Sequence, residues 1–220
     1  VDLAAAAAGV DPFEIRRRNM IADDAYPSGS ASGLRFESLS PQATLDKLEE
    51  MMGYGTLRAE QQSLRARGSY RGIGLSTFIE VTNPSPAFYG IGGAHISAQD
   101  GCTVRLEAGG TVTCSTGVTE QGQGTEAVVG QVVATGFGVP LEKVRVITGD
   151  TDNTPYGGGT WASRAAGIGG EAAWQAARAL RANVLETAGI LLQAQSGTLD
   201  IVDGAVVDAA TSNPRMDLSE

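Results

Sequence analysis

The sequence predicts an α+β fold with α/β-like layers, in which a helical N-terminal part precedes a mixed β-sheet with two loop–helix units. Apolar residues recur at helical spacing in several stretches of residues 1–67, which we assign to a mainly helical segment. After Gly68 the pattern changes to the alternation that is typical of strands, so residues 68–220 are assigned to an α/β region. Two glycine-rich loops in this region each run into a helix and are flanked by strand-like segments.

Helix start and stop residues delimit the elements of the first part. Asp11 and Pro12 are suited to the cap and the first position of a helix. We interpret the basic run Arg16, Arg17 and Arg18 as the solvated face of a helix end. The predicted helices span residues 11–21, 40–53 and 56–67, with a Ser-, Gly- and Asp-rich loop at 22–39.

The second part is predicted to alternate strands and helices. Its predicted elements are strands at 70–81, 93–98, 103–107 and 111–115, a helix at 125–136, a strand at 144–147, a helix at 169–195 and a hairpin turning at Asp203 and Gly204. The last residues, NPRMDLSE, resemble the approach to a further helix. Since neither end has the features of a natural terminus, we expect the chain to be a piece of a longer polypeptide.

Composition limits the classes of function. A net charge of −9 argues against a nucleic-acid-binding surface. No apolar run approaches the roughly 18 residues that span a bilayer, and the start lacks the positive region of a signal peptide, so we expect a cytoplasmic protein. Cys102 and Cys114 have no paired spacing and His95 is the single histidine, so neither a disulfide framework nor a metal site is indicated.

The first glycine-rich loop, GVTEQGQG, occupies residues 117–124. Its backbone N–H groups would lie at the positive end of the following helix, where phosphate and other electron-rich ligands bind. A nucleotide-binding P-loop would need Lys and Ser or Thr where Gln123 and Gly124 stand, which disfavours an NTPase. The amides of Gln121 and Gln123 suit a heterocycle with mixed hydrogen-bonding edges, although QGQG could equally be only a tight turn.

The second glycine-rich loop, GGGTWASR, occupies residues 157–164. Thr160 and Ser163 provide hydroxyls and Arg164 a guanidinium, a combination that suits a phosphate group. Trp161 is either a stacking surface or a core anchor. No histidine lies near a candidate nucleophile in sequence, so we assign no catalytic residue and no metal ligand to the chain.

Three stretches of the sequence resemble one known family. They are TEQGQG, the later stretch that ends in TPYGGGTWASRAAGIGG, and the N-terminal VDLAAAAAGVDPFEIRRRNMI. This family is the molybdopterin-binding large subunit of xanthine dehydrogenases and aldehyde oxidases, and the carbon monoxide dehydrogenase-like branch is the most similar. The resemblance covers essentially the whole chain. It implies that the cofactor contacts are Gln121, Gly122, Gln123, Gly124, Thr160, Trp161, Ala162, Ser163 and Arg164.

Two further features follow from the resemblance. The glycine and serine residues of segment 72–76 place Thr77 and Phe78 where family members line the substrate funnel. Close relatives often have histidine directly after QGQG, whereas this chain has Thr125.

The resemblance also implies a function for the full-length protein. The expected cofactor is the molybdenum cofactor as molybdopterin cytosine dinucleotide, with FAD and 2Fe–2S centres on partner domains or subunits. The implied reaction is oxidative hydroxylation of an aldehyde, an N-heterocycle or a CO-like small molecule. The family's FGG-type motif, its arginine-containing active-site loop and its catalytic glutamate are not in these 220 residues, so the chain alone is expected to be inactive. The alternative is a non-catalytic or degenerate module for cofactor binding or assembly.

Overall fold

The computed structural model describes residues 1–31, 33–84 and 99–220, and the chain divides into two compact units, 1–78 and 79–220. Helices combine with small mixed β-sheets, which confirms the predicted α+β class. The predicted strand at 93–98 and His95 within it lie outside the described residues. The sequence-based domain boundary after residue 67 stays a prediction.

The first unit is mainly helical, and the predicted helices of this part are confirmed. Asp11 caps the second helix, because its carboxylate accepts the backbone N–H of Phe13 at 2.8 Å. Phe13, Leu45 and Tyr54 form a small buried core, in which the rings of Phe13 and Tyr54 lie 4.4 Å apart. The elements are α1 (Asp2–Ala8), α2 (Pro12–Asn19), β1 (Ser28–Gly29), β2 (Arg35–Phe36), α3 (Pro41–Met52) and α4 (Tyr54–Ala66).

The interpretation of the three arginines as a solvated face is wrong for Arg16. Its side chain is only 7 % exposed, and its guanidinium donates to Asp2 Oδ1 at 2.7 Å and to the carbonyl of Leu75 at 2.6 Å. A long arginine stem can be buried when acceptors satisfy its charged head. Sequence spacing identified the helix but not the carbonyl, which lies 59 positions away along the chain.

The predicted strand at 70–81 is also wrong. In the described part of the chain these residues are irregular and belong to no sheet. Ile73 and Leu75 instead pack against the helical core around Phe13. Their alternate spacing therefore reflects two contacts with a helical core, and not the faces of a β-strand.

The second unit contains the mixed sheet. Strand β4 pairs antiparallel with β3 and parallel with β5, while β6, β7 and β8 form a separate antiparallel meander. The predicted strands at 103–107, 111–115 and 144–147 are confirmed. The elements are β3 (Cys102–Leu106), β4 (Val112–Thr116), α5 (Thr125–Phe137), a 3-10 turn (Leu141–Lys143), β5 (Val144–Ile147), a π-helical turn (Ala165–Gly169), α6 (Gly170–Leu191), a 3-10 turn (Ser196–Thr198), β6 (Leu199–Val202), β7 (Ala205–Asp208) and β8 (Pro214–Asp217).

The end of the chain contains a strand that the sequence did not predict. Residues 214–217 form the edge strand β8, and Met216 pairs with Val206 of β7. The approach to a further helix after these residues stays a prediction. Pro214 is compatible with this strand, because proline is tolerated at the first residue of an edge strand, where its missing N–H breaks no central ladder. The hairpin predicted at Asp203 and Gly204 is confirmed between β6 and β7.

Helices α5 and α6 cover the mixed sheet and bury its apolar face. They approach closely at Gly136, where a Cβ would lie 3.1 Å from the Cβ of Ala177. Among the described residues, no helix combines the length and the apolar character needed to cross a bilayer. The buried core comprises Val112, Cys114, Val118, Val129, Val133, Phe137, Val139, Ala173, Ala177, Ala188, Leu199, Ile201, Val206 and Leu218.

Cys102 and Cys114 come together in this core as free thiols, with 3.3 Å between their Sγ atoms. They occupy diagonal positions across the β3–β4 hairpin, since Cys114 pairs with Val104. The shared hydrogen bond and burial raise the pKa of the Cys102 thiol. Their proximity could not be seen from the sequence, because it depends on the strand register.

Candidate functional site

The two glycine-rich loops leave the same edge of the mixed sheet. The loop at 117–124 follows β4 and the loop at 157–164 lies between β5 and α6. Since β4 and β5 are parallel, the connections that follow them leave the same edge of the sheet; the first loop begins directly after β4, and the second loop follows β5 after residues 148–156. Ligands of open α/β sheets commonly bind in the crevice at this edge.

Direct hydrogen bonds join the two loops. The backbone N–H of Thr119 donates to Thr160 Oγ1 at 2.7 Å, and this hydroxyl donates back to the carbonyl of Thr119 at 2.9 Å. The amide of Gln121 donates to the carbonyl of Thr160 at 3.0 Å. The structure therefore brings together residues that the sequence separates by about forty positions.

A carboxylate holds the first loop from within. Glu120 Oε1 accepts the backbone N–H groups of Gly122 and Gly124 at 2.8 and 2.9 Å, and Oε2 accepts that of Glu126 at 3.1 Å. These donated hydrogen bonds lower the pKa of the Glu120 carboxyl group. The amides expected to face a phosphate are therefore engaged by Glu120, whose role the sequence did not reveal.

The side chain of Gln123 forms hydrogen bonds within the first loop and to the helix that follows it. The backbone N–H of Gln121 donates to Gln123 Oε1 at 2.7 Å, and the side-chain amide of Gln123 donates to Thr125 Oγ1 at 2.6 Å. Thr125 is buried at the first turn of α5. Thr125 thus orients Gln123, while both glutamine side chains remain exposed.

The second loop exposes consecutive backbone amides. Ala162 and Ser163 have φ values of 46° and 50°, a left-handed conformation that is uncommon for residues other than glycine. Within the described residues, their N–H groups donate to no acceptor. Backbone strain of this kind often accompanies ligand-binding sites. Ser163 Oγ donates to Glu80 Oε1 at 2.5 Å, so Glu80 is an additional polar neighbour.

Arg164 has a different environment from the rest of this loop. Its side chain is completely buried and donates to Asp100 Oδ2 at 2.7 Å. It also donates to the carbonyl of Gly159 at 2.5 Å and to that of Gln99 at 3.0 Å. Both terminal nitrogens are thus engaged by protein oxygens, in a site where sequence reasoning expected contact with a phosphate.

A cavity of about 440 Å³ lies between the two loops. Trp161 borders it, and the indole N–H of this residue donates to the carbonyl of Gly158 at 3.1 Å. Thr77 and Phe78 belong to the first unit, so their expected place near a substrate stays a prediction. The cavity is lined by Gln121, Gln123, Thr125, Val128, Thr160, Trp161, Ala162, Ser163, Arg164, Ala165 and Ala166.

Comparison with known families identifies this region. A family model described as "Molybdopterin cofactor-binding domain" matches residues 47–220. The chain belongs to this family. Both loops fall inside the matched range, so the resemblance inferred from their sequences is confirmed. The cavity is thus part of a molybdopterin cofactor-binding domain.

Individual relatives agree with this assignment. The chain is 35 % identical to the nicotine 6-hydroxylase large subunit of Paenarthrobacter nicotinovorans over 92 % of its own length and 25 % of the relative. It is 33 % identical to the carbon monoxide dehydrogenase large chain of Hydrogenophaga pseudoflava, over 91 % of this chain and 25 % of that relative. Among solved structures, quinoline 2-oxidoreductase from Pseudomonas putida 86 matches with a TM-score of 0.65 and 37 % identity, over 99 % of this chain and 28 % of that one.

The chain spans about a quarter of the length of these curated relatives. The relatives' names include a hydroxylase, a dehydrogenase and an oxidoreductase.

Proposed function

We propose that this chain forms one part of the cofactor site in the large subunit of a molybdenum hydroxylase. The observation that carries the proposal is the cavity between two mutually bonded loops within a molybdopterin cofactor-binding domain. The full-length protein would hydroxylate an aldehyde, an N-heterocycle or a CO-like molecule. Relatives named for nicotine, quinoline and carbon monoxide support this range of small substrates.

The residues around the cavity fit a pterin dinucleotide. The exposed side chains of Gln121 and Gln123 keep acceptor capacity for the edge of a heterocycle. Among the described residues, Gln121 Oε1 accepts no hydrogen bond and Gln123 Oε1 accepts only the backbone N–H of Gln121. The open amides of Ala162 and Ser163 suit phosphate oxygens, because successive backbone N–H groups form anion-binding concavities. In this proposal the phosphate-binding donors come from the second loop, since Glu120 already engages those of the first.

Other residues keep these groups in place. The Thr119–Thr160 bonds fix the distance between the loops, while Glu120 fixes the course of the QGQG turn. When bound, the molybdenum cofactor would supply the redox centre at which the substrate is oxidised. Trp161 would cover one side of the cofactor and limit the access of water.

The rest of the enzyme is also part of the proposal. We assign the cofactor the cytosine dinucleotide form, and place FAD and 2Fe–2S centres on partner domains or subunits that carry electrons away. The relatives described as large subunits or large chains support such an assembly. We further propose a cytoplasmic location, with the catalytic base and the substrate-selecting residues in other parts of the polypeptide.

Cofactor content of the full-length protein tests the proposal. Gln123→Ala removes an exposed amide from the cavity, and we expect cofactor affinity to fall roughly tenfold, because the polar groups it would contact lose a hydrogen-bond partner. Gln131→Ala, at an exposed position on α5, is the matched control and should retain the wild-type content. Molybdenum analysis and mass spectrometry of the released pterin give the measurement.

The outcomes separate the proposal from its alternative. Wild-type protein that contains neither molybdenum nor a pterin dinucleotide would instead favour a non-catalytic or degenerate module. Equal molybdenum contents in Gln123→Ala and Gln131→Ala would remove the first loop from the cofactor site.

A further inference from the structure

Asp100 contacts the beginning of both glycine-rich loops. Its side chain is completely buried. A Cβ at Gly117 would lie 2.5 Å from Asp100 Oδ1, and a Cβ at Gly157 would overlap the same oxygen. Only glycine leaves room for the carboxylate at these two positions, which are the first residues of the two loops.

The backbone around this carboxylate is equally close. The N–H of Gly117 donates to the carbonyl of Gly101 at 3.2 Å, and the N–H of Gly101 donates to Asp100 Oδ1 at 3.1 Å. A Cβ at Gly101 would lie 2.9 Å from the Cβ of Pro155, just before the second loop. Asp100 is therefore the point where both loops and the start of β3 converge.

Arg164 is the counter-ion at this point. Its bonds to Asp100 and to the carbonyls of Gly159 and Gln99 connect the end of the second loop with the segment before β3. Removing one member of a buried ion pair leaves the other charge without compensation, whereas removing both charges together can be tolerated. Each residue is thus expected to depend on its partner.

We infer that Asp100 and Arg164 are positioning residues that set the two loops for cofactor binding, and that the Arg164 guanidinium does not bind the cofactor phosphates. This rests on the proposed function only for the identity of the ligand. Arg164 acts through Asp100 and the glycines packed on it. The motif Thr-x-x-Ser-Arg then combines an exposed binding part with a buried structural arginine.

The test compares three variants of the full-length protein with the wild type. Arg164→Met and Asp100→Asn each leave one buried charge, while the double variant Asp100→Asn/Arg164→Met leaves neither. Hydrogen–deuterium exchange is followed in peptides covering residues 117–124 and 155–164, with 199–208 of the β6–β7 hairpin as the internal control. Molybdenum and pterin content are measured on the same samples.

We expect both single variants to accelerate exchange in both loops by about tenfold or more, with little change in the control peptide. The double variant should return exchange towards the wild-type rate and hold more cofactor than either single variant. Restoration by removing the second charge is a result that a phosphate ligand at position 164 would not produce.

Other results would overturn the inference. If Arg164 binds phosphate, Asp100→Asn should leave cofactor content unchanged or raise it, and the double variant should hold none. If the pair only supports the global fold, exchange in residues 199–208 should accelerate as much as in the loops. If the single variants do not fold, the cofactor content of the double variant is the test. A double variant without cofactor would contradict the inference.

This design keeps the two proposals distinguishable. A wild-type protein without molybdenum would contradict the proposed function, but exchange in the cofactor-free protein would still report whether the ion pair fixes both loops. Normal molybdenum content with unchanged loop exchange in the single variants would contradict the positioning role alone.

Discussion

Glu120 shows how one side chain can determine the use of a whole loop. Its carboxylate accepts the N–H groups of Gly122, Gly124 and Glu126, so these donors are satisfied before any ligand binds. The positive end of α5 is therefore neutralised from within the chain. We therefore propose that the phosphate contacts lie in the second loop, where the N–H groups of Ala162 and Ser163 donate to no acceptor in the described part of the chain.

The same contacts predict a pH dependence. The backbone donors lower the pKa of Glu120 from its ordinary value of 4.5, so its ordering effect is complete above that value and is lost as the pH falls through the lowered pKa. The ¹H–¹⁵N NMR shifts of Gly122 and Gly124 should follow this titration in the wild type. They should be pH-independent over the same range in Glu120→Gln, and identical titration in both proteins would contradict the assignment.

The sequence predicted most of the residues around the cavity, but not the bonding among them. Glycine-rich loops before helices identified seven of the lining residues, Gln121, Gln123 and those at 160–164, because loop chemistry is local in sequence, whereas Gly122 and Gly124 do not line the cavity. The partner of Arg164 lies 64 positions away, and a residue type alone does not tell whether an arginine contacts a ligand or a buried carboxylate. The tertiary structure decides between these two uses.

At the scale of elements, the local signals predicted helices and paired strands well. Caps such as Asp11 and Gly53 define helix ends, and the β3–β4 and β6–β7 hairpins bring their strands together over short turns. Segment 70–81 has the alternation of a strand, but a strand also needs a partner for its backbone. Without one in the described part of the chain, Ile73 and Leu75 pack on helices instead.

The end of α5 offers a test of element packing. Gly138 ends this helix with a φ of 102°. The backbone at Gly138 lies so close to β6 that a Cβ there would overlap the carbonyl of Ile201. Gly149 also has a positive φ, of 70°, but no atom lies within 4 Å of its Cβ position. Both glycines therefore share the conformational cost of alanine, while only Gly138 adds a steric one.

We expect Gly138→Ala to lower the free energy of unfolding by about 1–3 kcal/mol more than Gly149→Ala, the difference being the cost of overpacking. Urea denaturation followed by tryptophan fluorescence reports this unit, because Trp161 and Trp174 both lie in it. Equal destabilisation by the two substitutions would show that the chain can move β6 away from a Cβ at position 138 without a cost in stability.

For the whole molecule, chain length relative to the family is the decisive quantity. The 220 residues correspond to about a quarter of each curated relative, yet they contain both loops and the carboxylate that joins them. A cofactor as large as a pterin dinucleotide gains affinity from contacts on several sides, and pre-organised contacts reduce the entropic cost of binding. The two loops of this chain, however well ordered, supply only part of that affinity.

This argument predicts a difference between the chain alone and the full-length protein. Residues 1–220 produced separately should give a helical circular dichroism spectrum but retain little molybdenum after gel filtration, whereas the full-length protein should retain it. Full-length Gln123→Ala is the informative comparison, because it loses one contact but keeps the parts of the cofactor site that lie outside residues 1–220. It should hold more cofactor than the separate chain. Retention of a full complement of molybdenum by residues 1–220 would instead mean that the two loops alone suffice for tight binding.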